Sequence, residues 1–376
     1  MKYMGSKRSM LRNGLGTLLD REVPKATRFV DLFAGSAAVA SHVAQRFDIE
    51  VVATDLQTYS VILANAIVSR KRTFDPQRLW DNWFRRASEF SKQHQSTPCL
   101  PATVSKRIVR SQREWCERQA LPITSAYGGH YFCAAQAVWI DALRNTLPGD
   151  RNRRCVALAA LIRAASHCAA SPGHTAQPFQ PTITAIRFLE EAWRRDVVGQ
   201  TKKELIELAT LSAQRVGHAK KIDANLMALQ LQAGDLVFID PPYSGVHYSR
   251  FYHVLETIAR GERIEVSGVG RYPPERQRPR SRYSVQSESE NAFDDLLGAI
   301  AKKRAAVIVT FPDHSCSNGL SGDQVKKIAA RHFKVRKKSV ASHFSTLGGT
   351  SDNRGNKAGR NARRPARELI LHLTPR

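Results

Sequence analysis

Residues 28–55 spell out a strand, a helix and a second strand in immediate succession. Arg28-Phe-Val-Asp-Leu-Phe33 is a short apolar run, Ser36 to Phe47 spaces small and apolar residues with helical period, and Ile49-Glu-Val-Val-Ala-Thr-Asp55 is apolar again and ends on an acid. Strands joined through a helix in so short a space lie parallel and adjacent, so this unit is the opening of a doubly wound α/β sheet. Strand signals return at residues 235–240 (DLVFID), 305–311 (AAVIVTF) and 367–373 (RELILHL). Between them, from Tyr59 to Val216, apolar residues recur at three- and four-residue spacing in VILANAIV, QRLWDNWFRRASEF, FCAAQAVWIDAL and VALAALIRAA. The spacing predicts a mostly helical insertion over 59–216, within a sheet domain made of residues 1–58 and 217–376.

Charge narrows the class of partner. The 376 residues carry 58 Lys+Arg against 33 Asp+Glu, a formal net charge of +25, with 42% hydrophobic residues. That apolar content excludes disorder throughout the chain. A positive excess on a globular chain points to a polyanion, nucleic acid before a membrane surface, since no long basic amphipathic helix stands out. No run of apolar residues reaches the ~18 that a membrane span needs. The basic start lacks the apolar stretch of a secretory signal, so the expectation is a soluble, cytoplasmic, nucleoid-associated protein without a membrane partner. The six cysteines (99, 116, 133, 155, 168, 316) form no CxxC pair, which predicts free thiols and no metal site. Two Arg-rich stretches, 268–290 and 347–366, carry Pro, Gly, Ser and Asn and read as basic loops.

Two constellations carry chemistry. In Asp31-Leu32-Phe33-Ala34-Gly35-Ser36 a strand turns into a helix, and a glycine there lets the backbone approach a ligand at the helix N-terminus. Asp55, 20 residues beyond Gly35, ends the next strand, where an acid can take both hydroxyls of a ribose. The pair implies a nucleoside-containing cofactor, although Ala34, Ser36 and Ala37 break the dinucleotide fingerprint. The second constellation is Asp240-Pro241-Pro242-Tyr243, directly after the apolar strand LVFI. Two prolines end the strand and stiffen the loop, so a carboxylate and a ring stand beyond the carboxyl edge of the sheet, where doubly wound folds bind ligands. A carboxylate and the main-chain carbonyl of the Asp-Pro peptide, both accepting from an exocyclic NH2, favour the pyramidal nitrogen that attacks a methyl sulfonium. Tyr243 offers a face for a planar base. The sulfonium is already activated, so alignment and local electrostatics suffice without a metal.

With these residues in order, the chain resembles the Dam-like adenine-specific (N6) DNA methyltransferases. Lys2-Tyr3-Met4-Gly5-Ser6-Lys7 looks like their N-terminal K-[WY]-x-G-[SG]-K element, DLFAGS like their FxGxG element, and Asp240 to Tyr243 is their DPPY tetrapeptide unchanged. Ala37 stands where the family usually has the second glycine. The resemblance implies a Rossmann-like doubly wound mixed sheet, S-adenosylmethionine as cofactor, DNA as partner, and a monomer or weak dimer. It implies catalysis by Asp240, Pro241, Pro242 and Tyr243. It further implies Tyr3 and Lys7 against the cofactor, Asp31, Phe33, Ala34, Gly35 and Ser36 around its methionine portion, Asp55 on its ribose and Asp223 on its adenine amine. Tyr248, Tyr252, His253 and Glu256 follow the catalytic loop, with Tyr252 and Glu256 on one helix face. The basic excess is assigned to phosphates, through side chains such as Arg107, Arg110 and Arg113 and the loop holding Arg276, Arg278, Arg280 and Arg282. Competing readings are a cytosine-N4 or RNA adenine methyltransferase, or a nucleic-acid-binding protein without turnover on the same scaffold.

Overall fold

The computed structural model describes residues 7–94, 96–345 and 363–376, with the backbone alone at 342–345 and 363–366. The chain divides into two compact units. The sheet unit comprises the described residues within Met4–Leu56, Ala213–Tyr248 and Arg280–Arg376; the helical unit comprises Gln57–Ser212 and Ser249–Pro279.

Seven strands make the sheet: β1 (Arg28–Asp31), β2 (Glu50–Asp55), β3 (His218–Lys221), β4 (Asp235–Ile239), β5 (Ala306–Pro312), β6 (Lys334–Ser345) and β7 (Arg363–Thr374). Their order across the sheet is β3-β2-β1-β4-β5-β7-β6. The first five run parallel, and β7 is antiparallel to both β5 and β6. This is the mixed, doubly wound sheet that the sequence implies. Val30, Val52, Val237 and Val309 pack on one face with Phe293, Leu296, Leu297, Val325 and Ile328 of the helices Ser289–Lys302 and Gly322–His332. Phe29, Val51, Phe238 and Ile308, one step along each strand, are buried as well. Burial of both faces explains why these strands read as unbroken apolar runs.

Strand order also fixes where a ligand can enter. The connection from β1 leads to β2 on one side, while β4 lies on the other and leads on to β5. The crevice at such a reversal opens at the carboxyl ends of β1 and β4, the ends that carry the two sequence constellations. β3 and β6 escaped the sequence reading: one is four residues of His-Ala-Lys-Lys, and the other begins Lys-Val-Arg-Lys-Lys. Both are edge strands, where exposed charge discourages pairing with another chain and erases the apolar signal.

The helical unit shows no named strand among its described residues. The stretches expected to be helical lie in helices Thr58–Val68, Pro76–Lys92, Ala134–Asn145 and Arg151–Cys168. Trp83 anchors its interior by donating to the Leu143 carbonyl at 3.0 Å. Arg163 and Glu204 pair with each other here at 2.6 Å, while other charges bond to main chain. Arg70 donates to the carbonyls of Ala66, Arg72 and Leu208 at 2.9, 2.7 and 2.6 Å, and its guanidinium lies 4.8 Å from the centre of the Phe74 ring. Arg144 donates to the carbonyls of Ile258, Ala259 and Arg260, closing the C-terminus of helix His253–Arg260. Gly261 follows with φ 69°, and a Cβ there would lie 2.6 Å from the Arg144 guanidinium. Asp141 accepts from the amides of Ile123 and Thr124 at 3.0 and 2.8 Å, capping helix Pro122–Tyr127 from a distance in sequence. No described helix is long and apolar enough to cross a membrane. All six cysteines are free.

Candidate active site

β1 ends on Asp31, which is buried and accepts the Phe33 amide at 3.3 Å. The chain then turns tightly. Ala34 donates to the Thr54 carbonyl, Ala37 donates back to the Ala34 carbonyl, and Gly35 donates to the Asp55 carboxylate at 2.9 Å. Gly35 and Ala37 both take left-handed backbone, φ 51° and 59°, before helix Ala38–Arg46 begins. The second of these positions is the one where the related element carries glycine, and the geometry supplies the reason. Asp55 ends β2. Next to it, Ile222 donates to the Asp55 carbonyl, and Asp223 caps helix Ala224–Ala228 through the amides of Asn225 and Leu226. Three carboxylates therefore stand at the carboxyl ends of three neighbouring strands.

On the other side of β1, β4 delivers Asp240 to the same edge. Its Oδ1 receives Thr310 Oγ1 at 2.9 Å and Lys7 Nζ at 3.0 Å, and Lys7 Nζ also meets Glu368 Oε2 at 3.1 Å. Because β7 runs antiparallel, its early residues meet the end of β5: Glu368 pairs with Pro312, two residues past Thr310. Behind the tetrapeptide, the buried Asn318 donates to the carbonyls of Pro242 and Tyr283, both at 3.0 Å, and accepts the Leu320 amide. Gly245 donates to Ser317 Oγ, and a Cβ there would sit 2.6 Å from the Ser317 carbonyl. Tyr243 packs on the rim of the core, with the Tyr248 ring edge-on at 6.4 Å. Phe33 lies edge-on to Tyr283 at 5.1 Å.

Electrostatics follow from this crowding of acids. Burial pushes Asp31 up to about 8; the Phe33 amide opposes the shift, and the neighbouring Asp240 and Asp55 add to it. Burial also raises Asp240, against the pull of Lys7. Lys7 is 4% exposed. Burial alone would strip its proton, but the attraction of Asp240 and Glu368 outweighs that and holds it well above the ordinary lysine range. Burial raises the Tyr243 phenol too, so it stays neutral.

The structure thus brings Asp31, Phe33, Ala34, Gly35, Ser36, Asp55 and Asp223 to the carboxyl ends of β1 to β3, with Lys7 and Asp240 to Tyr243 at β4. Tyr3 lies outside the described residues, as do residues 347–362 of the second basic loop. Tyr252, His253 and Glu256 belong to the helical unit. There His253 is buried, with its ring nitrogens 3.0 and 2.9 Å from the carbonyls of Arg250 and Gly270, and Glu256 accepts the Tyr59 amide at 3.1 Å. Among the arginines assigned to phosphates, Arg107, Arg110, Arg276 and Arg280 are exposed. Arg113 is half-buried and donates to the Gly129 carbonyl at 2.9 Å, Arg278 donates to the Pro273 carbonyl, and Arg282 pairs with Asp295. Thr310, Glu368 and Asn318 were not foreseen. The sole hint was a polar residue at the tip of an apolar strand in two of them. Among the described residues no group of three or more His, Cys, Asp or Glu side chains is arranged to hold a metal.

The family model for D12 class N6 adenine-specific DNA methyltransferases matches residues 3–112 and 193–304. The chain is 26% identical to the type II methyltransferase M.FokI of Planomicrobium okeanokoites, over 79% of this chain and 42% of that protein. It is 25% identical to the modification methylase LlaI of Lactococcus lactis subsp. lactis, over 80% of this chain and 44% of that one. Against the type II methyltransferase M.NlaIII of Neisseria lactamica it is 24% identical over 89% of both chains. It spans less than half the length of the first two relatives.

Proposed function

This chain belongs to the D12 class N6 adenine-specific DNA methyltransferases, and on that footing we propose that it methylates the exocyclic N6 amine of an adenine flipped out of DNA, using S-adenosylmethionine. The observation that carries the reading is the braced tetrapeptide: Asp240 at the tip of β4, one strand from the acid row of β1 to β3, on a loop fixed by two prolines and Asn318. The cofactor supplies a methyl group on a positively charged sulfur. The donor set fits it, since an α-ammonium, ribose hydroxyls and an adenine amine are all groups that carboxylates accept from. Asp31 would face the ammonium, Asp55 the ribose and Asp223 the adenine amine, with Phe33 to Ser36 forming the close-approach turn and Tyr3 and Lys7 flanking it.

Asp240 accepts one N–H of the target amine, and the carbonyl of the Asp240-Pro241 peptide accepts the other. This directs the nitrogen lone pair at the methyl carbon. Asp240, accepting from the amine, would receive the proton that the amine sheds on methylation. Tyr243 stacks on the extruded base, which helps offset the few kcal/mol of unstacking. Exposed arginines, including Arg107, Arg110, Arg276 and Arg280, hold the phosphates. With DNA as substrate, the enzyme works in the cytoplasm on the nucleoid.

The test is transfer of labelled methyl from S-adenosylmethionine to mixed-sequence duplex DNA, followed by digestion to nucleosides. Label in N6-methyl-2′-deoxyadenosine is the expected result, and label in a methylated deoxycytidine or no transfer would refute it. Asp240→Ala should lose at least ~10³-fold in kcat while cofactor affinity stays within a few fold.

A further inference from the structure

Both side-chain donors to Asp240 among the described residues, Lys7 Nζ and Thr310 Oγ1, use the same oxygen, Oδ1. The carboxylate is thereby fixed in rotation with Oδ2 turned to the other side. Lysine carries three donors on a flexible stem, so an unrestrained ammonium could reach either oxygen of the half-buried carboxylate. Here the ammonium has a second claimant, Glu368 Oε2 at 3.1 Å, arriving from β7.

We propose that Glu368 is a positioning residue for methyl transfer, drawing the Lys7 ammonium to the Oδ1 side of Asp240 and so keeping Oδ2 for the amine of the incoming base. The proposal rests on the functional reading above and adds the device that keeps the acceptor open. Without Glu368, Lys7 closes over Asp240 and competes with substrate for the oxygen that substrate needs. Without Lys7, two half-buried carboxylates are left without their shared cation and Asp240 takes up a proton more readily. Among the described residues, the other charged and titratable groups facing Asp240 are Asp31 from β1 and Tyr243 from its own loop, and neither variant replaces them.

Glu368→Gln is therefore expected to lower kcat by about tenfold. It should also move the acid limb of the pH–rate profile down by about one unit, with cofactor affinity within twofold. Lys7→Met is expected to move the same limb up. A Glu368→Gln limb that stays in place, or that moves up with Lys7→Met, overturns the proposal, as does a fall in melting temperature with an unchanged pH profile. Glu368→Asp, which keeps the charge and folds where Gln does not, should shift the limb less than Gln. A second readout needs no methyl acceptor: carbon-13 titration of the Asp240 carboxyl in protein labelled at aspartate Cγ, assigned with Asp240→Asn. The midpoint should fall in Glu368→Gln and rise in Lys7→Met. If wild-type protein transfers nothing to DNA, the functional reading fails while this titration still decides the network; equal midpoints in the two variants reject it.

Discussion

In the helical unit, Arg70, Arg144 and Asp141 sink into the interior against main-chain carbonyls and amides, whereas in the sheet unit Lys7, Asp31 and Asp240 sink among one another's side chains. The first arrangement spends a charge on closing a helix end, and the partner group cannot titrate. The second leaves each charge dependent on whether its neighbour holds a proton. These three charges of the helical unit are thus fixed architecture, while those of the sheet unit are a set of coupled acids and one base gathered at the carboxyl ends of the strands. Net charge on the sequence does not distinguish them: Arg113, grouped there with the arginines assigned to phosphates, is half-buried and donates to the Gly129 carbonyl.

The sharpest test of this difference is Arg70→Met, which removes the guanidinium that donates to four carbonyls. It should cost about 3 kcal/mol in denaturant melts while leaving cofactor affinity unchanged. A loss of cofactor binding without loss of stability would break the comparison. Arg113→Ala should cost about 2 kcal/mol through the abandoned Gly129 carbonyl, with the salt dependence of DNA binding unaltered. The exposed pair Arg107→Ala and Arg110→Ala should do the reverse, holding stability within about 0.5 kcal/mol and reducing the slope of log K against log salt by about 2.

In the sheet unit the expected signature is pH. Asp31 is raised from the ordinary 3.8 to about 8, so the folded state favours its neutral form. The stabilisation is complete below the unfolded value and is lost as pH rises toward 8. Cofactor-free protein should therefore melt at falling temperature between pH 5 and 9, less steeply in Asp31→Asn. Binding a cationic cofactor should release a proton near pH 7, measurable by calorimetry in buffers of different ionisation heat. The smallest effect belongs to Ala37→Gly, which relieves a left-handed alanine and should add about 1 kcal/mol at most.

Much of the fold could be read from residue order. The strands at 28, 50, 235 and 306 announce themselves because parallel strands covered on both faces need continuous apolar residues, and antiparallel β7 is legible through its buried Leu369, Ile370, Leu371 and Leu373. The site residues at their tips were legible for a related reason, since an acid directly after such a run can only stand at the sheet edge. The charged edge strands β3 and β6 lacked that signal. Thr310, Glu368 and Asn318 were illegible because their meaning lies in contacts across the chain: Glu368 matters only once antiparallel β7 lays it beside Lys7, and nothing local to RELILHL says which strand it will join or in which direction.

Lys7 and Glu368 stand 361 residues apart in the chain. An ion pair of that span contributes nothing to early folding, since the entropy of closing so long a loop is met only after the intervening structure exists. A nascent chain can form β1, β2 and β4, with the tetrapeptide in place, while its Asp240 environment still lacks the strand that completes it. The surroundings of Asp240 are thereby completed by β7: a chain cut before that strand would keep the acids of β1 to β3 and lose the carboxylate that shares the Lys7 ammonium.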